Sequence, residues 1–139
     1  MLYCLPIFGA TYATHIQPLI LLQKRAIRLI SNAGYLDNTE PLFKAQQILK
    51  LNDLYNHNVA CYVFKNRNIL DSFSVTHNHN TRNNNMFLPP FERLRSTSQS
   101  VIFNGIRIWN TIPDNIRDCT TIDSFNNRYK QHLLSQYDS

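Results

Sequence analysis

The sequence predicts a mainly α-helical fold that ends in a small α+β unit with a short β-ribbon. Its 139 residues are about one domain's worth, and 43% of them are apolar, which is enough to build a core. Apolar residues recur at helical spacing along most of the chain, whereas residues 97–103 read Thr-Ser-Gln-Ser-Val-Ile-Phe, a β-prone run. With only three glycines, the chain contains neither a phosphate-binding P-loop nor a dinucleotide-binding fingerprint.

Three helices are predicted in the first half, near residues 15–32, 40–48 and 52–67. A capping box of Thr14 and Gln17 would begin the first helix, Asn32 to Gly34 would end it, and Thr39 would cap the second. The residues expected to face the core are Leu19, Leu22, Ala26, Leu29 and Ile30 in the first helix, Leu42, Phe43, Ala45 and Ile48 in the second, and Leu51, Tyr55, Val59, Tyr62 and Val63 in the third. Residues 1–68 are therefore expected to form one helical unit.

An asparagine-rich stretch at residues 69–85 is predicted to be a linker to a second unit, residues 86–139. Residues 86–88 and 97–103 would form the β-ribbon, and Asn104-Gly105 would end its second strand. A short helix at 106–111 would follow, and then a terminal helix at 122–136, capped by Thr120 or Thr121. The apolar stripe of that helix is Phe125, Tyr129, Leu133 and Leu134. We expect Trp109, Pro113 and Phe125 to be structural, with the single tryptophan as the anchor of this unit.

Basic residues are the strongest indication of a partner. The net charge is +5 and the pI about 9.3, which favours anionic partners. Lys24, Arg25 and Arg28 lie within about one helical turn, as a helix needs to lie along a phosphate backbone. Further candidate nucleic-acid contacts are Arg82, Arg93 and Arg95, which are interleaved with Phe87, Phe91 and Phe103. Those aromatic rings either stack on bases or belong to the core, with the arginines outside.

Few residues have the spacing of a catalytic or metal site. His77 and His79 could share a metal on an extended backbone, and His57 with Cys61 could add a half-site on a helix. No acidic residue lies near them, so we expect neither metal nor cofactor. Cys4, Cys61 and Cys119 are far apart and odd in number, which is typical of free thiols in an intracellular rather than a secreted protein. We expect no membrane span and no enzymatic activity from the chain by itself.

Several runs occur in an order that is similar to a known family. They are Leu22 to Ile30 (LQKRAIRLI), Thr39 to Lys44 (TEPLFK), Ile48 to Tyr55 (ILKLNDLY), His77-x-His79-x-Thr81-Arg82, Gly105-x-x-x-Trp109-Asn110-x-Ile112-Pro113, and Ser124-Phe125 before an amphipathic helix. From about Pro6 to Leu134, the chain resembles the C-terminal region, thumb and post-thumb, of the reverse transcriptase of non-LTR (LINE, jockey-like) retrotransposons.

This resemblance implies a piece of an RNA-directed DNA polymerase that follows the catalytic palm. The family's catalytic aspartates belong to an aromatic-x-Asp-Asp motif, and the sequence contains no Asp-Asp pair. The resemblance therefore implies a non-catalytic, thumb-like fragment that contacts the template–primer duplex, with the missing palm domain as a further partner. Two alternatives stay open at this point: a retroelement-derived module that a host retained for binding protein, and a decayed open reading frame without function.

Overall fold

The computed structural model describes residues 13–67, residue 87 and residues 100–138. These residues are mainly helical, as the sequence predicts, and no β-strand lies in 13–67 or 100–138. The helices are α1 (Ala13–Ile30), α2 (Glu40–Ala45), α3 (Leu51–Lys65), α4 (Val101–Thr111), α5 (Asp114–Arg117) and α6 (Ile122–Ser135), followed by a 3₁₀ turn (Gln136–Asp138). The predicted linker at 69–85, with His77, His79 and Arg82, lies outside the described residues.

Helix α1 begins near its predicted start but turns a different face to the core. Thr14 and Gln17 lie within the helix, so they do not form its cap. The buried side chains are Ile16 and Ile27, whereas Leu22 is 57% and Leu29 82% exposed. The predicted stripe is therefore wrong for these leucines. The reason is that α1 carries apolar residues on more than one side, so that periodicity alone does not indicate which side packs.

Two residues with a left-handed backbone conformation lie between α1 and α3. Asn32 has a φ of 50° and stops α1 within the predicted stretch, and Gln47 has a φ of 52° shortly after α2. Thr39 makes no capping hydrogen bond with its side chain; instead, Oδ1 of Asn38 accepts from the Glu40 N–H at 3.2 Å. Helix α2 is shorter than predicted, and it buries Phe43 almost completely.

The N-terminus of α3 is capped by residues that are distant in sequence. The Gln23 amide of α1 donates to the Leu49 carbonyl at 2.9 Å and accepts from the Leu51 N–H at 2.8 Å. The Tyr137 hydroxyl accepts from the Lys50 N–H at 2.9 Å and donates to Oδ2 of Asp53 at 2.6 Å. Because the first N–H groups of a helix have no partner within it, these bonds fix α3 to α1 and to the 3₁₀ turn.

Residues 101–103, predicted to end a strand, are the first turn of α4, so the strand prediction is wrong for them. Ser100 caps this helix by accepting from the Phe103 N–H at 3.2 Å. Asn104 and Gly105, predicted to be a break, lie inside the helix. The β-branched residues are helical here because one face of α4 packs on α3, and burial overrides a weak local preference.

Of the first predicted ribbon strand, residues 86–88, the structure describes Phe87, whose backbone pairs with a side chain. Nδ2 of Asn110 donates to the Phe87 carbonyl at 2.9 Å, and Oδ1 of Asn110 accepts from the Phe87 N–H at 3.2 Å. This side-chain amide on α4 therefore satisfies both backbone groups of an extended residue. The other predicted ribbon residues before Ser100 lie outside the described ranges.

Helix α6 follows its prediction closely. Thr121 caps it by accepting from the Ser124 N–H at 3.3 Å, and all four residues of the predicted stripe are buried. Trp109 is 3% exposed and stacks on the fully buried Phe125 at a centroid distance of 5.7 Å. Pro113 is the N-cap residue of α5. One core thus joins side chains of α1, α2 and α3 to those of α4, α5 and α6.

Candidate nucleic-acid interface

Three of the six predicted nucleic-acid contacts are on α1: Lys24, Arg25 and Arg28, hereafter the α1 cations. Lys24 and Arg25 are exposed and Arg28 is half-buried. The helix carries no acidic residue to offset them. Arg82, Arg93 and Arg95 lie outside the described residues. The α1 cations are therefore the part of the predicted interface whose geometry can be examined.

The Arg28 guanidinium is held in place by the turn that follows α1. Its Nε and Nη2 atoms donate to the Asp37 carbonyl at 3.1 and 3.0 Å. The Asp37 carboxylate in turn accepts from the Gly34 N–H at 2.7 Å, which fixes the turn. An anchored guanidinium loses less rotational freedom on binding an anion than a mobile one does.

Lys24 lines a cleft between α1, α2 and the start of α3. This cleft has a volume of about 400 Å³, and Glu40, Lys50 and Asp53 are among the residues that line it. The pKa of Glu40 lies below its ordinary value, chiefly because Lys50 donates a hydrogen bond to it at 2.5 Å and adds its charge. The Lys24 charge lowers that pKa further. Lys24 therefore faces a carboxylate that already has a cationic partner.

Arg25 and Arg28 border a second, mostly apolar groove at the end of α1. Leu29, Ala33 and Tyr35 complete its lining, and its volume is about 420 Å³. The α1 cations thus form two subsets, with Lys24 beside the first cleft and the arginines beside this groove. An extended anion that follows the helix surface can contact both, because the three residues lie within about one turn of α1.

Two of the three phenylalanines that could stack on bases or belong to the core pack against core residues. Phe103 is 9% exposed and belongs to the buried residues of α4. Phe87 packs on Trp109 at a centroid distance of 6.4 Å. Both rings are part of the core, which is the alternative that the sequence left open. Phe91 lies outside the described residues.

His57 and Cys61 both face α6 instead of a shared ligand site. Nε2 of His57 lies 3.2 Å from the Asn126 carbonyl, and the Cys61 thiol lies 3.9 Å from Oδ1 of the same residue. Burial raises the pKa of Cys61 to about 11, so the thiol stays protonated and is a poor metal ligand at neutral pH. Within the described ranges, no group of three or more metal-binding side chains is present.

Two features near the α1 cations are not predicted by the sequence. One is the set of hydrogen bonds around Tyr137, which joins residues more than 80 positions apart. The other is the outward-facing apolar side of α1. The sequence shows only that this side is apolar, and its helical periodicity predicts that it faces the core.

Comparisons with known proteins give no relative. No protein-family model matches the sequence, and neither the curated proteins nor the solved structures contain a significant match. None of the helices in the described ranges has a stretch long and apolar enough to cross a membrane.

Proposed function

We propose that the chain is a non-catalytic module that contacts the phosphate backbone of a duplex, such as an RNA–DNA hybrid, through the α1 cations. The observation that carries this proposal is a helix of 18 residues with three cations in its second half and no acid. Phosphate contacts position a protein on a duplex without reading its sequence, so such a helix needs neither base-reading side chains nor a metal. The resemblance to the post-palm region of LINE reverse transcriptases agrees with this role.

The geometry supports backbone contact better than base readout. Arg28 is already oriented by the Asp37 carbonyl, and Lys24 and Arg25 are exposed on neighbouring positions. The aromatic residues that could have stacked on bases, Phe87 and Phe103, are used in the core. We therefore expect weak binding that does not depend on sequence.

The test is a titration of duplex oligonucleotides of unrelated sequence at about 50, 100 and 200 mM salt, followed by fluorescence anisotropy. If the α1 cations neutralise about three phosphates, log K should fall against log salt with a slope of roughly −2 to −3. Replacing all three residues with alanine should remove most of that slope and weaken every sequence about equally.

A matched control distinguishes the effect of the α1 cations on duplex binding from the effect of the net charge of the protein. Lys65, Arg107 and Arg128 are exposed cations on α3, α4 and α6, so their triple alanine variant loses the same charge elsewhere. That variant should keep the slope of the wild type. The proposal is wrong if the wild type shows no duplex binding at the lowest salt, or if both triple variants behave alike.

A further inference from the structure

The outward side of α1 carries an apolar stripe that no described residue covers. Leu22, Leu29 and Ile30 are 57%, 82% and 62% exposed, and we refer to them as the leucine stripe. Leu22 and Leu29 are seven positions apart, with the exposed Ala26 between them, so they lie on one face of the helix. Tyr35 and Leu36, exposed by 75% and 90%, extend the apolar surface beyond the end of α1. A contiguous apolar surface of this kind is typical of an interaction site.

Positive charge lies directly beside this stripe. Arg25 is three positions after Leu22 and four before Leu29, so it neighbours both on the helix surface. Arg25 and Arg28 also border the groove of about 420 Å³ whose lining includes Leu29 and Tyr35. The surface thus combines an apolar floor with a cationic rim.

We propose that this face of α1 is a docking site for an acidic amphipathic helix of a partner protein. The partner's apolar row would cover the leucine stripe, and carboxylates flanking that row would pair with Arg25 and Arg28. This is the helix-in-groove mode of recognition, in which residues three, four and seven positions apart supply the contacts. The inference goes beyond duplex binding and does not depend on it.

The charge and the symmetry of this surface favour an acidic helix over a nucleic-acid duplex or a second copy of the chain. A duplex would satisfy the arginines but leave the leucines in water, since phosphates offer no apolar surface. A second copy of the chain would pack the stripe about a two-fold axis near its centre. That centre lies beside Arg25, so the axis would bring two equal positive charges together, which is unfavourable. An acidic helix matches both the apolar and the charged part of the surface.

The experiment uses the full chain and a labelled peptide of three heptads, with leucine at positions a and d and glutamate at e and g. Fluorescence anisotropy should show binding with a Kd below about 100 µM. The double variant L22S/L29S should weaken that binding at least tenfold. Because both leucines are exposed, the variant should keep the fold of the wild type, which circular dichroism verifies.

Two controls test the apolar and the charged contributions separately. Tyr62 and Ile102 are 46% and 42% exposed on α3 and α4, and their double serine variant should bind the peptide as the wild type does. A peptide with lysine in place of every glutamate keeps the leucines and should bind at least tenfold more weakly. Equal binding of the two peptides would show that charge complementarity is absent.

Three further outcomes would overturn the proposal. They are no binding of the glutamate peptide up to about 200 µM, binding that L22S/L29S leaves unchanged, and a dimer of the chain in sedimentation equilibrium that L22S/L29S abolishes. The duplex titration keeps this test separate from the proposed function. L22S/L29S keeps the α1 cations and should therefore bind duplex as the wild type does. A wild type that binds duplex but not the glutamate peptide contradicts only the docking site, and a wild type that binds the peptide but not duplex contradicts only the proposed function.

Discussion

Val63 on α3 packs against the backbone of Gly105 on α4, where a β-carbon would lie 2.8 Å from Cγ2 of the valine. A glycine inside a helix costs about 1 kcal/mol relative to alanine, so its presence in α4 calls for a reason. The reason is the close approach of the two helices. Gly105 and Val63 are both buried, and there is no room between them for one more methyl group.

Replacing Gly105 with alanine should therefore destabilise the protein. Overpacking costs about 1 to 3 kcal/mol, and the gain in helix propensity offsets about 1 kcal/mol of it. We expect a net loss of up to about 2 kcal/mol in the free energy of unfolding, measured by urea denaturation. In a Val63→Ala background the same change should cost nothing or stabilise, because the clashing methyl group is gone. An equal cost in both backgrounds would contradict this explanation.

Tyr137→Phe should destabilise the protein by removing one hydroxyl that serves two partners. The Lys50 N–H loses its acceptor, and the Asp53 carboxylate loses a donor at 2.6 Å. Leaving partly buried polar groups without partners costs about 1 to 3 kcal/mol. The control is Tyr35→Phe, at a site that is 75% exposed, which should change the free energy of unfolding by less than about 0.5 kcal/mol. Similar values for the two variants would refute the role of Tyr137.

We expect the protein to lose stability at acidic pH because His57 is buried in the folded state. Its ring is 8% exposed and stacks parallel to Tyr129 at 5.8 Å. Burial lowers the pKa of His57 below its ordinary value of 6.5, the Lys130 charge lowers it further, and the Asn126 carbonyl opposes the shift. Between the lowered pKa and 6.5, the unfolded chain binds more protons than the folded one. The free energy of unfolding therefore decreases as the pH falls below 6.5.

The variant His57→Phe isolates this effect, because phenylalanine keeps the stacking on Tyr129 but does not titrate. Urea denaturation at pH values of about 5, 6 and 7 should show a smaller loss of stability for the variant than for the wild type. If both proteins lose the same free energy over this range, His57 is not responsible for the pH dependence.

The sequence-based predictions are confirmed where the residues that determine a structure lie close together in the sequence. Thr121 and the four apolar residues of α6 occur within one short segment, and both the cap and the buried stripe are confirmed. In α3, Tyr55, Val59 and Val63 are buried as predicted, whereas Tyr62 is 46% exposed.

The sequence-based predictions are wrong where contacts between residues distant in the sequence determine the structure. Val101 to Phe103 are helical because α4 packs on α3, and nothing within residues 97–103 indicates that partner. For α1, the packed side carries Ile16 and Ile27, and Gln23 on this helix bonds to Leu49 and Leu51, which are 26 and 28 positions away. The same holds for the candidate site. The spacing of the α1 cations identifies them from the sequence, whereas the periodicity of the leucine stripe beside them predicts a core position that the structure contradicts.

The bonds of Tyr137 also determine the order in which the fold can be completed. Asp53 and Tyr137 are separated by 84 residues, which a ribosome adds in roughly 4 to 17 s. During that interval the start of α3 has no hydroxyl to accept from Lys50, and until α4 has been added Val59 and Val63 have no Gly105 to pack against. A nascent chain of this sequence therefore exposes the apolar side of α3 until α4 and α6 have been synthesised, and exposed apolar surface of this kind favours aggregation.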